Sequence, residues 1–141
     1  MWVREVDCAE NVAFNKFVTF HDIFSGSGNN PVDGNPGTEY HCKGGARPHW
    51  WKVDLGSKKM IDQMHMMAIT RGSGHYEVTV SNISDFGIKQ FCFSSGGAQE
   101  AMNEWSFDCA GNKIVAQHLK VNLPRNYAIR LWEITVMGWD I

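Results

Sequence analysis

Apolar and polar side chains alternate with a period of two along much of this chain. In residues 51–55, WKVDL, the first, third and fifth side chains are apolar and the other two are charged. The same alternation runs through HYEVTVS at 75–81 and HLKVNLP at 118–124. Because a period of two places successive side chains on opposite faces of a strand, each segment predicts a strand with one buried face.

Two further segments, MIDQMHMMAIT at 60–70 and YAIRLWEITVMGW at 127–139, are apolar on both parities, which is typical of central strands. Clusters of glycine, serine, asparagine and proline separate the segments, as in RGSG at 71–74 and SSGG at 94–97. The pattern predicts an all-β fold, an antiparallel β-sandwich.

A polar stretch at 24–48 interrupts the even spacing of the strands. It is longer than the roughly 12–15 residues that connections without structure usually reach, so we expect an organised loop. The 141 residues make one domain, 1–141.

The formal charge of −2 and the pI of about 6.3, with basic residues scattered, give no electrostatic reason to expect nucleic acid as a partner. We predict no transmembrane segment, because no apolar run approaches the roughly 20 residues that span a bilayer. The first eleven residues lack the apolar core of a signal peptide, so we expect any secretion signal to lie outside this sequence.

Four cysteines allow three complete pairings, and none belongs to a CxxC motif; they are Cys8, Cys42, Cys92 and Cys109. One interpretation is four reduced, buried thiols in a cytosolic protein, and the other is two disulfides in a secreted protein. The N-glycosylation motif NIS at 82–84 favours the second interpretation.

Residues 30–35, NPVDGN, place Asp33 and Asn35 on either side of a glycine. Such a turn directs oxygen atoms to one point, which suits Ca²⁺, although the same residues also form ordinary Asx turns. Glu133 interrupts an apolar strand, where an unpaired carboxylate is costly to bury. A calcium ion shared by Glu133 and the Asp33 turn would satisfy that carboxylate.

Other metal and catalytic patterns are weak. His41, Cys42 and His49 match no standard zinc-ligand spacing, and no serine lies in a G-x-S-x-G context. We therefore do not expect an enzyme.

Carbohydrate-binding sites commonly contain an arginine that donates hydrogen bonds to sugar oxygens, a histidine, and an aromatic ring that packs against the apolar face of the sugar. Arg71 follows a predicted strand, and further basic candidates lie in neighbouring loops: His41, Lys43, Arg47, His49 and His75. Trp50 and Trp51 are either core or the wall of such a site, and Arg71 is either a ligand contact or a solvated surface charge. The residues alone leave both alternatives open.

Six segments carry a resemblance to the F-type lectin (fucolectin) family of discoidin-like, galactose-binding-like jelly rolls. They are ENVAFNKFVTF, NPVDGN, HWWKVDLG, AITRG, CFSSGGAQEAMNEWSFDC and LWEITV, and the resemblance extends over about residues 11–137. It implies an F-type lectin jelly roll in which the two tryptophans belong to the core and its rim.

The resemblance also implies a structural calcium ion. Carried over by position, its ligands are Asn30, Asp33, Asn35, His41, the carbonyl of Trp132, and Glu133.

Arg71 matches the first arginine of the family's fucose motif. The aspartate expected two residues later is Ser73 here, and no second basic residue follows before the strand at 75–81. We therefore expect weaker binding of fucose-related glycans than the full motif would give, or a preference for another ligand.

Two disulfides follow from the resemblance. Cys92 and Cys109 bound one of the matching segments, and Cys8 replaces the family's final-strand cysteine, which is Trp132 here, as the partner of Cys42.

The sequence thus predicts a secreted, calcium-containing lectin domain whose partners are glycans or glycoproteins. The alternative is a discoidin-like adhesion or recognition module with a degenerate sugar site and a protein or lipid partner. An accessory domain of an enzyme is a third class, and the sequence leaves the glycan and a homo-oligomer open.

Overall fold

The computed structural model describes residues 9–45, 49–69, 75–96, 102–122 and 129–141. Within these ranges all strand pairings are antiparallel, and the fold class predicted from the alternating pattern is confirmed. The elements, in chain order, are β1 Glu10–Asn11, β2 Phe17–Phe20, β3 Ser25–Gly26, the 3₁₀ helix Asn30–Val32, β4 Tyr40–His41, β5 Trp50–Ile69, β6 Glu77–Ser81, β7 Gln90–Ser94, β8 Met102–Phe107, β9 Ile114–Asn122 and β10 Arg130–Asp140.

Strand β5 is the centre of the fold. Residues 50–54 pair with β2 and β9, and residues 59–69 pair with β10, with β8 and, at 59–61, again with β9. A register shift between Asp54 and Lys59 separates the halves, and Gly56 at this bend has a φ of 91°, which glycine adopts without steric cost. In their described residues, the segments predicted as two strands, 51–55 and 60–70, therefore form one bent strand that continues through Gly56.

The two halves of β5 place their inward side chains in one shared core. Trp51, Val53 and Leu55 from the first half and Met64 and Met66 from the second are almost completely buried. Removing such side chains from water contributes about 1.5–3 kcal/mol each, so this core is the main source of stability.

The tryptophan pair divides between the core and its edge. Trp51 is buried and its indole N–H donates to the Gly28 carbonyl at 2.8 Å, whereas Trp50 is half-buried. The interpretation as core and rim is confirmed.

The polar stretch at 24–48 is organised in its described part, as predicted. It contains β3, the 3₁₀ helix and β4, and β4 adds to the edge of β10. The Tyr40 hydroxyl donates to the Asp22 carbonyl at 2.6 Å and so ties the start of the loop to β4. Across the described residues, no helix has the length and apolar character needed to span a membrane.

Candidate functional site

Strands β4, β5 and β10 meet at one end of the molecule. Arg130 of β10 lies opposite His41 of β4 on one side and opposite Ile69 of β5 on the other. The buried Tyr76 hydroxyl donates to the Ile69 carbonyl at 2.6 Å and accepts the Arg130 main-chain N–H at 3.1 Å. We call this end, defined by His41, Ile69, Tyr76 and Arg130, the loop pole.

Two of the predicted ligand contacts lie on the β4 side of the loop pole. The half-buried ring of His41 meets Phe24 edge-on, with 5.1 Å between the ring centroids. Lys43 is exposed, and its main-chain N–H donates to the Asp22 carboxylate at 3.0 Å. His41 belongs to strand β4, and Lys43 follows it and is held by the bond of its main-chain N–H to Asp22.

His49 lies in the interior. Its Nδ1 is 3.4 Å from the sulfur of Cys42, and its Nε2 is 2.8 Å from the Gly45 carbonyl oxygen. Both ring nitrogens have contacts within the protein, so His49 joins Cys42 and Gly45.

His75 precedes Tyr76 at the loop pole, and its Nε2 is 3.5 Å from a carboxylate oxygen of Glu77. The other two predicted contacts, Arg47 and Arg71, lie outside the described residues. The ligand contacts as a set therefore stay a prediction.

The ion pair between Arg130 and Glu39 at the loop pole was not predicted from the sequence. One terminal nitrogen of Arg130 is 3.0 Å from each carboxylate oxygen of Glu39, and the guanidinium lies 5.1 Å from the ring centre of Trp132. The signal in the sequence is that Arg130, like Glu133, interrupts the apolar segment at 127–139. Its partner lies 91 residues away, in a loop whose path the pattern does not show.

The Asp33 turn holds its carboxylate in place. One oxygen accepts the Asn35 N–H at 2.8 Å, and the other accepts the Thr38 hydroxyl at 2.6 Å. Asn30 donates its amide to the Glu39 carbonyl at 2.8 Å, which uses its nitrogen and not its oxygen. The Asn35 side-chain oxygen accepts an N–H within its own turn, from residue 37, at 2.9 Å.

Glu133 is the buried carboxylate that the sequence analysis singled out. It is only 8% exposed, and its Oε1 is completely buried without a hydrogen-bond partner. Burial, and then the negative charge of Asp33, raise the pKa of Glu133 to about 7. The carboxylates of Asp33 and Glu133 therefore repel each other electrostatically, and Oε1 of Glu133 has no hydrogen-bond partner.

This neighbourhood fits a hard cation. The 3₁₀ helix packs against β10, which brings the Asp33 turn beside Glu133, and a β-bulge at Trp132 takes its backbone out of the regular ladder. In the part of the chain that the structure describes, no three His, Cys, Asp or Glu side chains form a metal cluster. A cation here would therefore need carbonyl and amide oxygens beside the two carboxylates, which is how Ca²⁺ is commonly held.

Comparison with known families assigns this architecture. Residues 30–121 match the NedA-like, galactose-binding domain of the F5/F8 type C group, which is more than half of the chain. The chain belongs to this galactose-binding family. The expected discoidin-like, galactose-binding-like jelly roll is thereby confirmed, and a comparison with curated proteins gave no match.

Solved structures share the fold of this galactose-binding domain. Chitosan-binding module 2 of a chitosanase/glucanase from Paenibacillus sp. IK-5, solved with chitotriose, is 26% identical, with 89% of this chain and 98% of that chain covered and a TM-score of 0.70. A fucolectin from striped bass, Morone saxatilis, is 20% identical, with 94% and 50% covered and a TM-score of 0.76. The family 32 CBM from C. perfringens NanJ, solved with galactose, is 18% identical, with 92% and 97% covered and a TM-score of 0.67.

The galactose-binding domain contains the expected disulfide between Cys92 and Cys109, whose Cα atoms are 4.0 Å apart. Cys42 is buried, and its sulfur accepts the main-chain N–H of Ile129 at 3.1 Å. Cys8 lies outside the described residues, so its pairing with Cys42 stays a prediction.

Proposed function

We propose that this domain is a non-catalytic carbohydrate-binding module that recognises glycans, free or on glycoproteins, through the loop pole. Membership of the galactose-binding family supports this proposal, as does the likeness to modules whose solved complexes contain chitotriose and galactose. We further propose that the domain acts outside the cell, since the Cys92–Cys109 disulfide suits an oxidising compartment.

The observation that carries the proposal is the convergence at the loop pole. The segment 70–74, which contains Arg71, joins Ile69 to His75, and the Tyr76 hydroxyl ties both ends of that segment to Arg130. The planar guanidinium of an arginine such as Arg71 can donate two parallel hydrogen bonds to neighbouring sugar oxygens. The Tyr76 hydroxyl already joins Ile69 to Arg130, so these flanking residues add little ordering cost to binding.

An array of fucosylated, galactosylated and chito-oligosaccharide glycans tests the proposal. We expect the unaltered domain to bind at least one of these groups and Arg71→Ala to lose that binding with an unchanged melting temperature. Lys58→Ala is the matched control, because Lys58 is exposed at the bend of β5, and it should bind like the unaltered domain. Binding that survives Arg71→Ala would place the site elsewhere.

A structural calcium ion is the second part of the proposal. Asp33, Glu133, the Asn30 side chain and the Trp132 carbonyl would hold it, with Asn35 and His41 contributing only if their present contacts change. When bound, the ion would neutralise the two carboxylates and join the polar 24–48 stretch to β10. The buried, unpartnered oxygen of Glu133 is the observation that favours it.

Thermal melting with and without a calcium chelator tests the ion. A cation that binds only the folded state adds about 2.7 kcal/mol at 100 times its dissociation constant, so chelation should lower the melting temperature. Asp33→Ala should remove that sensitivity, whereas Asp85→Ala, in an exposed Asx turn, should keep it. Identical melting curves with and without chelator, and no heat of calcium binding, would count against the ion.

A second candidate function is a recognition module for a lipid or protein surface. Phe24 is 69% exposed beside His41, and its neighbour Ile23 is also exposed, so two adjacent large apolar side chains face solvent beside the loop pole. An empty glycan array together with sedimentation on lipid vesicles that Phe24→Ser abolishes would favour this function over sugar binding.

A further inference from the structure

The turn between β6 and β7 carries a modification motif that the sugar site does not use. Asn82-Ile83-Ser84 is the only Asn-x-Ser/Thr sequence without proline in the 141 residues. Asn82 is exposed directly after the last residue of β6, and its amide nitrogen makes one contact, 3.5 Å from the Val115 carbonyl, at the outer limit of a hydrogen bond.

The turn itself is ordered by its own hydrogen bonds. The Ser81 hydroxyl oxygen accepts the Ile83 N–H at 3.0 Å and donates to the Ile88 carbonyl, and the Phe86 N–H donates to the Ile83 carbonyl at 3.2 Å. These bonds do not involve the Asn82 side chain. A modified Asn82 would therefore leave the turn intact.

A mostly apolar groove of about 280 Å³ begins at Asn82. Its lining includes Ile83 and Ile88, which are 43% and 80% exposed, and Ile114 and Val115 of β9. Apolar side chains that line a concavity gain free energy when a ligand's apolar face removes them from water.

We propose that Asn82 carries an N-linked glycan whose first N-acetylglucosamine covers this groove. The motif supplies the attachment atom at the mouth of the groove, and the apolar face and acetyl group of the sugar match the isoleucine-rich lining. The proposal rests on the secretory route proposed above, but not on the sugar site at the loop pole.

The transfer needs a lipid-pyrophosphate-linked oligosaccharide as its donor. The Asn82 Nδ2 forms a bond to the anomeric carbon, the bond from that carbon to the pyrophosphate oxygen breaks, and the lipid pyrophosphate leaves. The amide loses one proton to solvent, and no electron changes hands.

The position keeps the glycan away from the loop pole. Tyr76 anchors the start of β6 at the pole, and Asn82 follows its last residue, so six residue steps separate the two by roughly 20 Å. A glycan at Asn82 and a ligand at the loop pole can be bound together.

Intact mass measurement of the domain secreted from eukaryotic cells tests the attachment. We expect the unaltered domain and Ser84→Thr to carry one N-glycan that peptide-N-glycosidase removes with conversion of Asn82 to aspartate, and we expect Asn82→Gln and Ser84→Ala to carry none. Secreted protein with an unmodified Asn82 would overturn the proposal. Because this mass is measured on the unaltered domain, the result does not depend on whether any variant folds.

Melting of the same glycoprotein tests the groove. Trimming to a single N-acetylglucosamine should keep the melting temperature, and complete removal should lower it by a few degrees. Equal melting temperatures in all three forms would overturn the covering of the groove. Glycan binding at the loop pole should be the same in all three, so failure here is distinguishable from failure of the proposed function.

Discussion

Tyr76 shows at the scale of one residue how the loop pole is held together. Its hydroxyl bridges the Ile69 carbonyl and the Arg130 N–H inside the core. Replacing it with phenylalanine removes both bonds, and a buried donor without its acceptor costs about 1–3 kcal/mol. We expect Tyr76→Phe to lower the free energy of unfolding in urea by about 2 kcal/mol. Tyr40→Phe, which loses one bond to the Asp22 carbonyl, is the control and should lose less; equal losses would contradict this account.

The two buried tyrosines also predict a pH dependence. Burial is the largest cause that raises the pKa of Tyr40 and of Tyr76 above the unfolded value of about 10. The folded state thus keeps protons that the unfolded state releases, so this stability is complete below about pH 10 and is lost as the pH rises above it. In an alkaline titration, both phenolate signals should emerge only together with loss of the folded circular dichroism. Ionisation of all three tyrosines in the folded state would contradict the prediction.

Single residues differ in how far the sequence predicts them. Period-two alternation is enough to place Trp51 inward and Lys52 outward, because each strand position has only two faces. Glu133 is recognisable as a carboxylate in an apolar strand. The burial of His49 is not recognisable, since it depends on contacts with Cys42 and Gly45 that no local pattern shows.

At the scale of elements, β5 and β9 place two lysines opposite each other. Lys52 and Lys120 are cross-strand partners, and both ammonium groups lie over Trp50 and Phe86. Burial, and then the charges of Lys52 and Lys89, lower the pKa of Lys120. The contacts of Lys120 with the two rings, at 5.9 and 5.6 Å, are near the limit of a cation–π interaction, so the repulsion outweighs them.

Lys120→Met should therefore stabilise the domain by about 0.5 kcal/mol, because methionine keeps the apolar stem against the rings and removes one of two like charges. Lys52→Met is the matched comparison. It loses a closer ring contact of 4.9 Å and a hydrogen bond to the Ser84 carbonyl, and it should not stabilise. Urea unfolding decides between them, and a destabilised Lys120→Met would refute the argument.

The strands with clear alternation were predictable as elements, and their connections were not. β6 and the end of β9 lie where the pattern predicts them. The length of β5 was not predictable from the sequence. Gly56 and Ser57 resemble a turn, whereas β9 pairs with β5 both before and after them. The two-residue strands β3 and β4 have no periodicity to detect, since they exist only through pairing with each other and with β10.

The disulfide acts at the scale of the whole molecule, because it restricts the unfolded chain. Cys92 and Cys109 are 17 residues apart, and closing a loop of this size contributes roughly 3 kcal/mol. The double variant Cys92→Ser/Cys109→Ser should lose about that much in urea unfolding. A reductant should weaken the unaltered protein and leave the double variant unchanged, and an unaltered protein that ignores the reductant would refute the prediction.

For the whole molecule, the all-β class and the galactose-binding family followed from strand patterning and from motifs such as WWKVDLG. The arrangement of the loop pole did not follow. It depends on Arg130, His41 and Ile69 arriving in register from three distant strands, and no local pattern encodes that meeting.

The pairing of β1 with β10 also determines where this domain can be tethered. Glu10 lies opposite Gly138, whereas β10 starts at the loop pole with Arg130, roughly 26 Å away along the strand. A linker, neighbouring domain or sensor surface attached through either end of the described chain therefore meets the molecule at its far end. If the domain were immobilised or linked in tandem through these ends, the loop pole of each copy would face away from the attachment point. It would then be accessible to a ligand on an opposing surface.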